Sequence, residues 1–366
     1  MAERLALRTR VEIIYEGKDI SRDIAPDLLS MSFTDNDGGK ADDVSITLKN
    51  NHGRWTQEWL PSRGDKLEVT IVQEGEGARF DLPCGRFTVD ELEASGPPSV
   101  FSIKGASVPS NTGISRRKRT RAWESVRLSE IVQDVASAGD LSVMYLIDDD
   151  PLYERRDQRS ESDLAFLRRI CADEGFKVKC TDDRLVVFDP MEQQESDPVL
   201  SIKLGESFVK SWRFSAQSYS AFQKCIVEYK DPNKAGFLSY TYTLPDAPAG
   251  KTLKVKKRVE SKAEAERFAR AELYRANLTE VEGKLELVGD TRLVSGATVE
   301  LDGFGGFDGI YYILTATHAV GSGYTTSIDL TTTRKKKPGK KSVLDPPPEK
   351  GIVERMVDGL EDILGF

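Results

Sequence analysis

The chain contains only two histidines, His52 and His318, a scarcity that bears on every chemistry needing an imidazole. A histidine-based metal site needs several ligands converging, and a Ser-His-Asp triad needs a histidine beside a nucleophile and an acid. Neither arrangement can be assembled from these residues. His318 lies in Thr315-Ala316-Thr317-His318-Ala319-Val320, where two residue types alternate as on a strand. There it reads as a hydrogen-bonded structural residue, with Tyr324 or Thr325 as its partner. The four cysteines, Cys84, Cys171, Cys180 and Cys225, include no CxxC pair and read as reduced structural thiols. Cys225 alternates with Val227 and Tyr229, which places it on the buried face of a strand. No catalytic residue, cofactor-binding residue or metal ligand is expected.

Three further clusters invite a chemical reading. Gly303-Phe304-Gly305-Gly306-Phe307-Asp308-Gly309 has the look of a dinucleotide loop. The third glycine such a loop needs falls on Asp308, and the segment joins two strands rather than a strand and a helix. It reads as a hairpin loop. Asp35-Asn36-Asp37-Gly38 resembles the opening of a calcium loop, but the position for the bidentate acid is Ile46 and the third oxygen position is Gly39. With Gly39 it reads as a turn between strands. Asp148-Asp149-Asp150, ahead of Pro151, reads as a solvated turn, with a divalent-ion site as the alternative.

Arg116, Arg117, Lys118 and Arg119, with Arg121, form the densest charge run within a folded region. Solvation favours an exposed hinge there. The functional alternatives are an electrostatic contact to an acidic neighbouring subunit, or a phosphate contact with Trp123 as a stacking partner. Across the 366 residues the net charge is −8, which argues against a surface devoted to nucleic acid. No specific nucleic-acid binding is expected. No run of about 18 apolar residues occurs, so no membrane span is expected. Met1-Ala2-Glu3-Arg4 does not open a signal peptide.

The elements that must position these residues come in a repeated order. Gly64-Asp65-Lys66-Leu67-Glu68-Val69 opens a strand, Gly85-Arg86-Phe87-Thr88-Val89 a second, and Phe101-Ser102-Ile103 a third. Gly296-Ala297-Thr298-Val299-Glu300-Leu301 opens in the same way, followed by Gly309-Ile310-Tyr311-Tyr312-Ile313 and Ser327-Ile328-Asp329-Leu330. Two copies of one β unit suggest two related barrels or sandwiches rather than one large enzyme core. Between them the period turns helical. Leu128, Ile131, Val132 and Val135 share one face, with Gly139 ending the helix. A second helix is expected from Ser160, spaced as a capping box with Asp163, to Gly175, and a third from Ser261 with Glu264. Trp55 and Trp59 read as core anchors of a crossover. The fold class is α+β and mainly β. Residues 1–110 form a first β-barrel domain, 111–190 a small α+β domain and 191–333 a second β-barrel domain with one helix, with 191–200 as a linker. Residues 334–366 form a basic, proline-rich linker and an amphipathic helix, with Ile352, Met356, Leu360 and Ile363 on one face as a candidate partner-docking surface.

The ordered set of parts resembles the late control D family of phage baseplate hub proteins, a family related to the hub part of type VI secretion spike proteins. Four stretches carry the resemblance: Trp59 to Val72, Ser162 to Phe176, the helix from Ala263 to Asn277, and Gly296 to Leu330 with Asp308-Gly309-Ile310-Tyr311, His318 and Gly323-Tyr324-Thr325-Thr326. The resemblance implies two tail-tube-like barrels per chain and a peripheral α+β domain. It also implies a homotrimer whose pseudo-sixfold ring joins a hexameric tail tube, or a tube-initiator protein, to a trimeric spike among other baseplate proteins. The location implied is the baseplate of a virion or tail-like particle, assembled in the bacterial host cytoplasm. The alternatives are a tail-associated cell-wall hydrolase and the spike component of a type VI system. The chain leaves little room for a lytic domain or for a long β-helical extension, so a separate spike partner is expected.

Overall fold

The computed structural model describes residues 7–333, apart from 76, 108–112, 182, 206–207, 218–221, 230–237, 245–250 and 260. The first β unit comprises β1 (Arg8–Tyr15), β2 (Lys18–Asp19), the one-turn helix α1 (Ser21–Ile24), β3 (Leu28–Asn36), β4 (Asp43–Lys49), β5 (Lys66–Gly75), β6 (Ala78–Ser95) and β7 (Val100–Ala106). Alternation explains them. Val44, Ile46 and Leu48 point into the core from β4, while Ser45 and Thr47 are only partly covered. Burying each such apolar side chain contributes roughly 1.5–3 kcal/mol. Trp55 is buried in this core and meets Trp59 edge-on at 5.5 Å between ring centres.

The middle of the chain holds α2 (Gly113–Arg116), β8 (Lys118–Arg127), α3 (Leu128–Ser137), β9 (Ser142–Leu146), β10 (Leu152–Ser162), α4 (Asp163–Glu174), β11 (Lys177–Cys180), β12 (Arg184–Phe188) and the short α5 (Pro190–Gln193). The helix expected from Ser160 starts later. Strand β10 stays paired with β8 as far as Ser162, and Ser162 Oγ then accepts from Ala165 N at 3.3 Å to cap α4. At its other end Gly175 takes the left-handed conformation, φ 92°, and lets the chain turn beside Ala271.

The second β unit comprises β13 (Leu200–Lys203), β14 (Val209–Ala216), then β18 (Val281–Val288), β19 (Thr298–Asp302), β20 (Gly309–Val320) and β21 (Tyr324–Thr332). Between β14 and β18 the chain makes a separate sheet of β15 (Phe222–Tyr229), β16 (Leu238–Thr243) and β17 (Lys251–Lys256), covered by α6 (Lys262–Asn277). Cys225 and Val227 face Phe268, Ala269 and Leu273 of that helix. Ser261 caps α6 by accepting from Glu264 N at 3.1 Å.

The protein is thus α+β and mainly β. Barrels were the expectation from sequence, and the pairing differs. The strands of each unit surround one apolar core, but the hydrogen-bonded order stays open, running β14-β18-β21-β20-β3-β4-β7-β6-β5-β1-β2. The reason is β3, which bonds β20 of the other unit instead of closing its own.

Five strands match between the units, β3, β4, β5, β6 and β7 corresponding to β14, β18, β19, β20 and β21, whereas β1 pairs antiparallel with β5 and β13 pairs parallel with β19. Val69 pairs with Gly85 on β6, and Leu301 pairs with Gly309 on β20. Gly64 N donates to Val89 O at 2.8 Å, and Gly296 N to Ile313 O at 2.9 Å. The register slips by one residue after Val89 and again after Ile313. Ile46 lies between Ile103 and Met31, as Leu285 lies between Ile328 and Trp212. Bulges fall at Leu29 and at Lys210, the same step of β3 and β14.

Candidate functional site

The seam between the units is where buried polar chemistry concentrates. After the bulge at Leu314, β20 leaves β19 and pairs with β3, setting Thr315 opposite Asn36, His318 opposite Phe33 and Val320 opposite Met31. His318 is fully buried. Tyr324 Oη donates to its Nδ1 at 2.7 Å, and its Nε2 donates to Leu293 O at 3.0 Å. Its ring stacks on Phe33 with centres 6.1 Å apart. Burial pushes the imidazole down to about 4, so it is neutral and both nitrogens are satisfied. Tyr324 is therefore the partner, whereas Thr326 rather than Thr325 lies against the ring, 3.2 Å from Nδ1.

Asp35 and Asn36 end β3, and the acids here hold lysines rather than a metal. Lys179, on β11, donates to Asp35, to Asp42 at 3.1 Å and to Asn36 O at 3.0 Å. Lys177 pairs with Asp37. Asp35 also accepts from Ser295 N at 2.7 Å and Ser295 Oγ at 2.8 Å, which ties β3 to the loop before β19. Asp42 accepts from Asn36 N at 2.8 Å. Burial raises Asp42 to about 6 despite Lys179. Burial alone would lower Lys179, but Asp35 and Asp42 outweigh it and hold the ammonium charged. One cluster thus fastens three pieces: the first unit, the second unit and the middle region. Sequence reading missed Asp42, Lys177, Lys179 and Ser295. The lysines alternate with Val178 and Cys180, which resembles a solvated strand face.

The basic run divides. Arg116, Arg117 and Lys118 are exposed. Arg119 reaches Asp163 at 3.4 Å, and Arg121 reaches Asp163 at 3.0 Å and Asp134 at 3.1 Å. Asp163 has a side chain only 1% exposed, so the two guanidiniums neutralise a buried carboxylate. The segment is strand and one-turn helix rather than a hinge. Trp123 has no free face for a base: it stacks on Phe166 at 4.8 Å, with Arg121 4.4 Å from the ring centre. Asp150 serves α3, accepting from Ser129 N at 3.1 Å and Ser129 Oγ at 2.7 Å. The 303–309 segment is the loop between β19 and β20. Ile352, Met356, Leu360 and Ile363 lie outside the described residues.

Among the described residues, no group of three or more His, Cys, Asp or Glu could hold a metal ion, and no helix is long and apolar enough to cross a membrane. The profile of the phage tail baseplate hub (GPD) family matches residues 108–324, more than half of the chain. The chain belongs to the phage tail baseplate hub family. This hub is 33% identical over 176 residues to a protein of Escherichia phage P2 described as a probable baseplate hub protein. That stretch is 48% of this hub and 43% of the P2 protein, so the match spans under half of the relative's length. The fold is shared with a tail protein from Neisseria meningitidis MC58, at TM-score 0.68 and 14% identity over 88% of this hub and 96% of that chain. It is also shared with an E. coli component of the type VI secretion system, at TM-score 0.53 and 12% identity over 93% of this hub and 80% of that chain. The hub is a component of the phage tail baseplate.

Proposed function

We propose that this hub acts as a homotrimer, a structural ring without catalysis at the centre of the baseplate of a contractile tail or tail-like particle. The ring joins a hexameric tube, or its initiator protein, on one side to a trimeric spike on the other. The observation that carries this reading is the match of five strands between the two β units, which extends to both bulges. Three chains bearing two like units give six similar positions facing a sixfold tube, while a threefold spike tolerates their differences. On this reading residues 1–110 and 191–333 act as barrel-like tube domains and 111–190 stands at the periphery. The helix of 334–366 docks on the spike or a neighbouring baseplate protein through Ile352, Met356, Leu360 and Ile363. Arg116, Arg117 and Lys118 are free to meet an acidic neighbouring subunit. Assembly takes place in the host cytoplasm.

Light scattering on the purified chain tests the ring directly: a trimer is expected, and a monomer that never assembles with its spike overturns it. Deleting residues 342–366 should leave the trimer intact and reduce co-purification with the docked partner. Unchanged co-purification removes the docking role.

A further inference from the structure

The junction inside the chain has two open halves at its ends. Within the chain, the outer edge of β3 bonds the second half of β20. Strand β14 is the counterpart of β3, and among the described residues its outer edge bonds no strand. The second half of β6, from Glu91 to Ser95, is the counterpart of that part of β20. It pairs with β7 on one side, while β5 has already ended on the other. Burial records the difference. Met31 is 0% exposed under β20, and Trp212, in the same place on β14, is 48% exposed. His318 is fully buried, and its counterpart Ala94 is exposed. A long edge strand that displays a tryptophan is an open template for pairing.

We propose that β14 of one copy pairs antiparallel with Glu91–Ser95 of β6 in a second copy, repeating between chains the junction that β3 and β20 make within one. The repeat specifies the register. Met31 opposite Val320, Phe33 opposite His318 and Asp35 opposite Ala316 translate into Trp212 opposite Gly96, Phe214 opposite Ala94 and Ala216 opposite Leu92. That face matches large rings to small residues and apolar to apolar. The other face sets Ser215 opposite Glu93 and Arg213 diagonal to Glu93, a basic strand against an acidic one. The contact is head-to-tail, so it propagates around a ring rather than ending in a pair. This pairing rests on the ring reading above and names its contact.

The test is the double variant Glu93→Cys with Ser215→Cys in the full chain, under mild oxidation. The native cysteines in the chain are buried, so they do not compete. Directly opposed strand positions are within disulfide reach. Reducible cross-linked dimers and trimers are expected, and the control Ala94→Cys with Ser215→Cys, whose thiols sit on opposite faces, should give none. On the unaltered chain, backbone amides of 91–95 and 209–216 should exchange about tenfold more slowly in the assembled form than when diluted to monomer. A trimer by light scattering with no specific cross-link and no slowed exchange overturns the pairing and leaves the ring standing. A chain that is monomeric at every concentration and never assembles with its spike overturns both.

Discussion

Lys179 crosses from β11 to bond Asp35 at the end of β3, a strand more than a hundred residues earlier in the chain. Asp35 in turn accepts two hydrogen bonds from Ser295, so a single carboxylate links the middle region to both β units. A buried ion pair of this kind contributes little net stability but is costly to break on one side. Its effect is to specify how the pieces sit.

Replacing Lys179 by Met should therefore destabilise the fold by about 3–5 kcal/mol, because it strands Asp35 and Asp42 away from water. Urea unfolding measures this. Lys177→Met, which strands the one carboxylate of Asp37 rather than two, should cost less.

His318 makes stability depend on pH. The folded value is depressed to about 4 from an ordinary 6.5, so the folded state binds fewer protons than the unfolded chain between those values. Its contribution is present above pH 6.5 and is lost as pH falls toward 4, amounting to about 3 kcal/mol at the acid end. Asp42 opposes it: with its value raised to about 6, its contribution is present below its ordinary 3.8 and is lost as pH rises through 6. Melting curves of His318→Gln should lose the acid-side slope and keep the opposite one. An unchanged slope would sink the assignment.

Gly289 lies against the ring of Tyr324, where an added Cβ would fall 2.1 Å from the ring carbons. Gly289→Ala must move that ring and break its bond to His318. A loss of about 2–3 kcal/mol is expected from overpacking with the lost hydrogen bond. Gly77→Ala, with no atom near its Cβ, shows the backbone cost alone, since Gly77 has φ +83°.

Asp163→Asn should cost about 2–3 kcal/mol, because Arg119 and Arg121 lose their buried counter-charge. Changing Arg116, Arg117 and Lys118 together to Ala should leave stability within about 0.5 kcal/mol. If these three serve a neighbouring subunit, the triple variant changes only assembly and its dependence on salt, which sedimentation at two ionic strengths would reveal.

Local patterning made much of the architecture legible. Alternation marked β4 and β5, the serine three residues before an acid marked the start of α6, and Gly64 and Gly296 announced two like units. Helix α4 was misplaced by two residues because Ser160 stands three before Asp163 as in a capping box, and only the pairing of β10 with β8 as far as Ser162 moves the cap. The basic run looked like a hinge because sequence cannot show that Asp163, more than forty residues on, lies buried beneath it.

By itself the sequence determined the repeated unit, the helical interruption, the scarcity of histidine and the resemblance to a hub family, since each is carried by residue types and short patterns legible along the chain. The tertiary structure decided that the two units share one open sheet, that three separate segments meet at Asp35, and that Trp212 stands uncovered where Met31 is enclosed. Those outcomes depend on which strand edge finds which partner. Every residue but proline offers the same backbone donor and acceptor, so no local pattern encodes that choice.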